Sequence, residues 1–253
     1  MNAVGIAVLV FACTLAGALL GMWMRNRLPE HHLGNDAKDV IKLAMGLIAT
    51  MAALVLGLMT ASANAAFDAQ DAALKHASTN ILSLDRTLAR YGPESAPIRS
   101  QIRSQVQFRI ATTWPDDKSR EARVETPETT GTIEGVEDAV RNLAPTTDAQ
   151  RAFQSHALAI TGDLLEERWA VFGSSASSIP APLLVVVVFW LSVIFWSFGL
   201  YAPRNGTVLA VLVMCGLSVA AAIFLILEME TPYQGVMKIS SAPLRYTLAH
   251  LGQ

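Results

Sequence analysis

The chain has 253 residues, of which 52% are hydrophobic and 16% are charged, and its mean hydropathy is +0.38. This composition is typical of membrane proteins. Residues 68–168 hold 28 of the 40 charged side chains, 12 basic and 16 acidic, and this acidic balance argues against nucleic-acid binding. Both cysteines, Cys13 and Cys215, lie inside apolar runs, so neither a disulfide framework nor a thiolate metal site is predicted.

The first predicted membrane span covers residues 4–24. It carries no charge and is followed by Arg25 and Arg27, a basic stop of the kind found at membrane interfaces. Because no basic residue precedes the apolar run, we expect the segment to be retained rather than cleaved as a signal peptide. Gly17 and Gly21 form a GxxxG pair, which permits close helix contact but is also frequent by chance.

The second predicted span covers residues 40–67. It contains an uncharged run of 25 residues, 43–67, which is long enough to cross a hydrocarbon layer of about 30 Å. No proline or turn cluster follows before Gly92, so the sequence predicts one unbroken helix from Asp39 to Tyr91.

Beyond the second span, this long helix carries an apolar seam with a period of seven residues. Such a seam packs either on the chain's own later helices or around an axis shared with other copies of the chain, and both interpretations remain open at this point. The seam consists of Phe67, Leu74, Ile81 and Leu88, together with Ala77, Leu84 and Tyr91.

Within the second span, small residues recur every four positions and form a stripe on one helix face. Ala53, Gly57 and Ala61 of this stripe are predicted to pack against another helix, because small side chains let two backbones approach. A neighbouring stripe, offset by one residue, contains Thr50, Leu54 and Leu58.

Residues 68–178 are predicted to form a helical extramembrane domain. An amphipathic helix covers Ser95–Thr113, residues 114–131 are predicted to be a loop, and a further long helix covers Asp148–Phe172. Residues 173–178, GSSASS, have the composition of a flexible joint.

The amphipathic helix has two faces of different chemistry. Its apolar face contains Ile98, Ile102, Val106 and Ile110. Arg99, Arg103 and Arg109 lie off that face and form either an ordinary solvated surface or a lining that attracts anions.

Residues 179–230 are predicted to form a second membrane hairpin, with spans at 182–201 and 206–228. Residues 231–253 follow as an amphipathic C-terminal tail. The predicted fold class is therefore all-α, with four transmembrane helices and a helical polar domain inserted between spans two and three. The second span continues out of the membrane as a long helix.

No cofactor, metal site or enzymatic activity is predicted. His31 and His32 are adjacent and would point in different directions, and Asp116 and Asp117 lack the regularly spaced acidic ligands of a calcium loop. The sequence has no phosphate-binding glycine loop, no HExxH motif and no Ser-His-Asp grouping that helical periodicity would bring together.

Two blocks of the sequence resemble the bestrophin-like domain-of-unknown-function family of bacterial membrane proteins. The resemblance covers essentially the whole chain and is least distinctive in residues 92–178. The first block, residues 28–70, reads LPEHHLGNDAKDVIKLAMGLIATMAALVLGLMTASANAAFDAQ. The second block, residues 189–240, reads FWLSVIFWSFGLYAPRNGTVLAVLVMCGLSVAAAIFLILEMETPYQGVMKIS.

This family is distantly similar to bestrophins, which are homopentameric anion channels with four spans per subunit and a helical cytosolic domain between spans two and three. The resemblance implies a homopentamer in the bacterial inner membrane, with the polar domain in the cytoplasm. Basic residues near the span ends are evenly divided between the two sides, and those in the short loops favour the opposite orientation, so composition alone does not settle topology.

Carried over residue by residue, the resemblance implies that span two lines a pore. Thr50, Leu54 and Leu58 would form its apolar neck, and Phe67 would lie near the cytosolic exit. The sequence departs from bestrophins at Leu58, where they carry an aromatic residue, and at the polar Thr50. It has no counterpart of the acidic calcium clasp of animal bestrophins, so calcium gating is not implied.

Two functional hypotheses follow. The first is an oligomeric ion channel that conducts anions. The second is a non-conducting membrane scaffold or sensor whose helical domain binds a partner. The number of copies in the purified protein distinguishes them, because a monomer or dimer leaves no central pore.

Overall fold

The structure is a computed structural model that describes residues 2–27, 35–115, 127–174, 180–203, 205–233 and 235–253. Over these ranges the protein is built from α-helices and one short 3-10 helix, Pro93–Ser95, and contains no strand. The all-α prediction is therefore confirmed. The helices are α1 Ala3–Arg25, α2 Asn35–Tyr91, α3 Ala96–Thr113, α4 Pro127–Arg141, α5 Asp148–Ser174, α6 Ala181–Tyr201, α7 Gly206–Met229 and α8 Ala242–His250.

Four of the described helices, α1, α2, α6 and α7, are long and apolar enough to cross a membrane. They contain the four predicted spans, which confirms that part of the prediction. The long helix α2 is unbroken, as predicted, and begins at Asn35, four residues before the predicted start.

The chain divides into two compact units. Unit 1 consists of Met1–Ala66 and Ser177–Glu230, and unit 2 consists of Phe67–Ala176 and Thr231–Gln253. The C-terminal tail therefore belongs to the same unit as the polar helices.

In unit 1, α1 packs closely on α6 through glycines of both helices. A Cβ atom added to Gly17 would lie 2.6 Å from the carbonyl oxygen of Ser192, and one added to Gly199 would lie 2.8 Å from the carbonyl carbon of Ala18. At Gly21 the obstacle is again backbone, at Trp196 and Leu200 of α6. The GxxxG pair of α1 thus makes the close contact that its spacing permits, because no side chain separates the two backbones.

Unit 1 also packs α1 against α7. A Cβ atom on Gly216 of α7 would lie 3.4 Å from the Phe11 ring and from the Thr14 hydroxyl. The buried Thr14 hydroxyl donates to the carbonyl oxygens of Val10 and Phe11 in its own helix, so it needs no partner on α7. Burial of a hydroxyl in an apolar bundle is tolerated when its own helix accepts the hydrogen bond.

Among the described residues of unit 2, α2, α3, α4, α5 and the tail all contribute to a shared apolar core. The seam of α2 lies in this core, with Leu74, Leu84 and Leu88 buried and Phe67 and Ile81 partly buried. Of the two interpretations of the seam, packing on the chain's own later helices is therefore correct. The predicted apolar face of α3 is also confirmed, since Ile98, Ile102, Val106 and Ile110 are all buried.

The long helix ends where the sequence predicted a break. Gly92 has a φ of 135°, a conformation that side chains larger than glycine rarely adopt, and Pro93 starts the 3-10 helix that leads into α3. The buried Ser95 hydroxyl donates to the carbonyl oxygens of Leu88 and Gly92, which satisfies acceptors at the end of α2. α3 then returns antiparallel to α2.

Two boundaries differ from the sequence prediction. Residues 127–131 were assigned to a loop, but α4 begins at Pro127 and is helical throughout them. Proline suits the first turn of a helix, where its missing N–H has no acceptor, so it marks a start here rather than a loop. α5 extends to Ser174, which includes the first two residues of the predicted joint.

The tail is held to unit 2 by specific hydrogen bonds. The Trp114 indole N–H donates to the carbonyl oxygen of Ile239 at 2.8 Å, and the buried Thr247 hydroxyl donates to the carbonyl oxygen of Ser78 at 3.0 Å. Leu244 and Leu251 are buried in the core. The amphipathic tail thus covers the α2–α3 surface of its own unit.

Candidate functional site

The residues predicted to form a pore neck lie on an exposed face of α2. Leu54 is 76% exposed and Leu58 is 66% exposed in the single chain. Thr50 is also exposed, and its hydroxyl donates to the carbonyl oxygen of Gly46 at 2.7 Å. This hydrogen bond within the helix lets a polar residue lie on an apolar face at low cost.

The opposite face of the same helix is buried in unit 1. Ala52, Met59 and Ala63 are each no more than 2% exposed. Met59 is nine residues after Thr50, which is about two and a half turns and therefore the other side of the helix. Among the described residues, the membrane part of α2 thus has one buried face and one exposed face.

The small-residue stripe shares the exposed face with the predicted neck. Ala53, Gly57 and Ala61 are all exposed, and a Cβ atom added at Gly57 would meet nothing within 4 Å. Within the part of the chain that the structure describes, no other helix lies against Gly57, so the predicted packing role of this stripe stays a prediction about another copy or another protein.

The exposed face continues toward the start of the span and is uniformly uncharged beyond Lys42. Leu43 and Leu47 are more than half exposed. From residue 43 to Phe67 the helix has no ionisable side chain. Such a surface is compatible with lipid, with another apolar helix face, or with a dewetted conduit.

Phe67, the predicted cytosolic exit, is the first residue of unit 2. Its side chain is partly buried and packs against the core of that unit. Asp68, the next residue, is the first charged side chain after the uncharged run. Phe67 therefore marks the point along α2 at which the uncharged run ends.

Arg99, the first of the predicted vestibule arginines, is paired with a buried acid. Its Nε donates to Asp85 Oδ1 at 2.7 Å and one Nη donates to Asp85 Oδ2 at 3.0 Å. The side chain of Asp85 is fully buried and that of Arg99 is 20% exposed. The hydrogen bond to Asp85 raises the pKa of Arg99, against the opposing effect of burial. The pair is bidentate, the geometry in which arginine binds carboxylate most strongly.

The other two vestibule arginines have different surroundings. Arg103 donates to the carbonyl oxygen of Leu251 at 2.6 Å, at the end of the tail. Arg109 lines a cleft in unit 2. The structure therefore does not bring the three guanidinium groups together around one point within the chain.

The sequence was compared with known protein families and proteins. The bestrophin-like domain family matches residues 12–244, which is nearly the whole chain. The chain belongs to the bestrophin-like family. Searches of the curated proteins and of the solved structures gave no match. Membership, together with four long apolar helices, makes this a membrane protein.

Two side chains of this bestrophin-like protein were not singled out from its sequence. Asp85 lies four residues after Ile81 and three before Leu88, so a charge within the apolar seam was the available signal. Glu167 accepts from Asn80 Nδ2 at 3.2 Å and lies 3.9 Å from His76 Nδ1, and its sequence context gave no comparable signal. Burial is the main cause that raises the pKa of Glu167, while His76 lowers it and Asp163 raises it.

Among the described residues, no group of three or more His, Cys, Asp or Glu side chains could hold a metal ion. His31, His32, Asp116 and Asp117, which the sequence analysis had considered, lie outside the described residues.

Proposed function

We propose that this bestrophin-like protein is the subunit of an oligomeric ion channel in the bacterial inner membrane. The neck would be formed by Thr50, Leu54 and Leu58 of α2 from each copy. The observation that supports this most directly is the two-sided character of α2, with one face buried in unit 1 and the other exposed, uncharged and lined with small residues and leucines.

Self-association would explain both stripes on that face. The small residues Ala53, Gly57 and Ala61 would let the α2 helices of neighbouring copies approach closely. The adjacent Leu54 and Leu58 would then point toward the common axis. A ring of leucines can gate a pore by wetting and drying, without any charged group in the neck.

The choice of ion would be made outside the neck, because the neck has no charged side chain. Arg99 is compensated by Asp85, so it contributes little long-range attraction for anions. Arg103 and Arg109 are the vestibule residues on which anion preference would chiefly depend. A homopentamer and a cytoplasmic position for unit 2 are proposed from the family relationship to bestrophins, and no catalytic reaction is assigned to the protein.

Purified protein in planar bilayers tests the proposal. With a chloride gradient across the bilayer, the expected reversal potential lies near the chloride equilibrium potential. Leu54→Ala with Leu58→Ala is expected to increase current, because a wider and less apolar neck stays wet. The matched control is Leu217→Ala, which truncates an exposed leucine on α7 and is expected to leave the current unchanged.

Absence of current in both the wild type and the double variant contradicts the channel proposal. Native mass spectrometry of the same preparation separates the remaining explanations. A ring without current favours the non-conducting scaffold or sensor, and a monomer or dimer removes the central pore altogether.

A further inference from the structure

Two adjacent apolar residues of the C-terminal tail are exposed in unit 2. Among the described residues of this unit, only Phe108, Val236, Met237 and Tyr246 are large, apolar and exposed; the other exposed ones lie on the four membrane helices. Val236 is 81% exposed, the highest value among the described large apolar residues, and Met237 is 36% exposed. Neighbouring apolar side chains that a polar domain leaves uncovered indicate a contact with something outside that domain.

Val236 and Met237 lie at the tip of a loop whose base is fixed. The backbone N–H of Ile239 donates to the carbonyl oxygen of Pro232 at 2.8 Å, which closes the loop, and both of these residues are buried. The indole of Trp114 on α3 donates to the carbonyl oxygen of Ile239. Val236 and Met237 also make contacts within the protein. The tip therefore projects from a fastened base and is not a loose chain end.

The residues around the tip have complementary roles. Gly235 has a φ of 81°, in the left-handed region that glycine adopts readily, so the backbone turns directly before Val236. Lys238 follows Met237 and is exposed. A turn, two apolar side chains and a cation are a combination that suits a membrane interface, because the apolar groups enter the acyl boundary while the lysine reaches the head groups.

The chain connects the base of this loop to a membrane helix. α7 ends at Met229, and Glu230 is its C-cap. Pro232 is two residues beyond Glu230, so their Cα atoms are within about 8 Å of each other. The loop therefore begins next to the end of a helix that is long and apolar enough to cross a membrane.

Tyr233 relates the same loop to the point where the uncharged run of α2 ends. Burial raises the pKa of the Tyr233 hydroxyl, Arg109 lowers it and Asp71 raises it, so both charges lie near that hydroxyl. Asp71 is four residues after Phe67, the last residue of the uncharged run, which is about 6 Å along the helix. Both α2 and α7 thus connect to the end of unit 2 that carries this loop.

The aromatic residues at the base of the loop suit the same location. The rings of Trp114 and Tyr233 meet edge to face, with centroids 5.6 Å apart, and both side chains are partly buried. Tryptophan and tyrosine are enriched where proteins meet the head-group layer of a membrane. A base at that level would leave the tip within reach of the bilayer.

We propose that the loop tip formed by Val236 and Met237 inserts into the interfacial layer of the lipid bilayer, with Lys238 directed to anionic head groups. Because the base of the loop is already ordered, insertion costs little conformational entropy. The tip fastens unit 2 and its tail to the bilayer in addition to the chain connections with the membrane helices. This attachment does not require that the protein conducts ions.

A fluorophore at the tip tests the proposal in the full chain. After both native cysteines have been replaced, Val236→Cys is labelled with NBD and reconstituted in nanodiscs of phosphatidylcholine and phosphatidylglycerol. The expected emission is shifted to the blue. Phosphatidylcholine with a nitroxide near the start of its acyl chain is expected to quench it strongly, and aqueous iodide is expected to quench it weakly.

Ala249→Cys, labelled in the same way, is the matched control on the same tail. Ala249 is exposed on α8, between Thr247, which bonds Ser78, and Gly252, which bonds Asp85. These two α2 residues lie about 17 and 27 Å along the helix from Phe67. The label at Ala249 is therefore expected to be quenched by iodide and not by the nitroxide lipid.

Two variants of the labelled protein test the chemistry of the tip. Met237→Asp is expected to abolish the blue shift, whereas Ser240→Asp adds the same charge outside the tip and is expected to keep it. Lys238→Gln is expected to lower the ratio of inserted to withdrawn label about fivefold in the presence of phosphatidylglycerol, the factor that corresponds to about 1 kcal/mol for one lysine at an anionic surface. In pure phosphatidylcholine this ratio is expected to stay the same.

The label on the otherwise unchanged chain decides the result even if Met237→Asp fails to fold. Iodide quenching at Val236 as strong as at Ala249 overturns the proposal, because the tip then lies in water. A blue shift without nitroxide quenching also overturns it, because a second copy or another protein then covers the tip. An unchanged ratio in Lys238→Gln contradicts the role given to the lysine.

Discussion

Arg99 of α3 holds the carboxylate of Asp85 of α2 with two hydrogen bonds, of 2.7 and 3.0 Å, and the backbone N–H of Gly252 donates to the same carboxylate at 3.2 Å. One fully buried acid therefore connects two helices and the C-terminal tail. A buried carboxylate is stable only when its oxygens are hydrogen-bonded, and here both have partners.

Arg99→Gln is expected to destabilise unit 2 by about 3 kcal/mol, because it leaves the Asp85 charge buried without its main partner. Chemical denaturation of the purified protein, followed by the fluorescence of its tryptophans, measures the loss. The double variant Asp85→Asn with Arg99→Gln is expected to lose less than the sum of the two single variants, since the residues interact directly. Additive losses, or a loss no larger than that of Arg90→Gln, would contradict the role given to this pair.

Gly199→Ala is expected to prevent the close contact of α1 and α6. The added methyl group would meet the backbone of Ala18, which cannot rotate away as a flexible side chain could. Overpacking of this kind costs about 1–3 kcal/mol, and we expect the upper part of that range. The thermal unfolding midpoint in detergent measures the effect. Gly46→Ala is the control, because nothing lies within 4 Å of its added Cβ atom, and an equal loss in both variants would refute the contact.

Glu167 predicts a specific pH dependence of stability. Burial raises its pKa in the folded state, so the folded protein binds this proton more tightly than the unfolded chain does. The stability that Glu167 contributes is therefore fully present below the pKa of 4.5 that this carboxyl group has in the unfolded chain. It is lost as the pH rises through the higher pKa of the folded state. Glu167→Gln is expected to flatten this decline while keeping an oxygen for the Asn80 hydrogen bond.

Unfolding midpoints of Glu167→Gln and the wild type, compared from pH 4 to pH 8, check this sign. Glu166→Gln provides the control, because Glu166 is the exposed neighbour on the same helix. If the unfolding midpoint of Glu167→Gln depends on pH with the same slope as that of the wild type, the Glu167 carboxyl group is not desolvated. The same conclusion follows if Glu167 makes the wild type more stable as the pH rises over this range.

The tail is expected to detach more easily when its anchor to Trp114 is removed. Trp114→Phe keeps most of the ring but loses the 2.8 Å hydrogen bond to Ile239, which leaves a carbonyl oxygen unpaired and costs about 1 kcal/mol. Limited proteolysis should then cut residues 235–253 faster than in the wild type. Ser104→Ala on α3 is the control, since the Ser104 hydroxyl donates to the carbonyl oxygen of Gln101 in its own helix. Equal cutting rates would mean that the indole does not hold the tail.

The membrane helices and the long α2 followed from the sequence because their signals are local. An uncharged run such as 43–67 can be satisfied only in lipid or in a protein interior, and the break at Gly92 and Pro93 is a property of those two residues alone. The apolar face of α3 was equally predictable, since a four-residue period leaves one arrangement for its isoleucines.

The features that sequence reasoning missed depend on tertiary contacts. Asp85 is a charged residue that becomes tolerable only when Arg99 and Gly252 reach it, and these lie 14 and 167 positions away. Pro127 can start a helix or occupy a loop, and its sequence context does not distinguish the two. What lies against Leu54 and Leu58 in the membrane is not a property of one chain, so the pore neck remains the central prediction.

Cysteine accessibility on α2 tests that prediction most directly. In a background without Cys13 and Cys215, Leu54→Cys and Leu217→Cys are reconstituted and exposed to a charged methanethiosulfonate reagent, which enters water but not lipid. An axial conduit predicts that Leu54→Cys reacts, and that its current changes on reaction, while Leu217→Cys does not. If both cysteines are equally inert, Leu54 faces lipid and the channel account is contradicted.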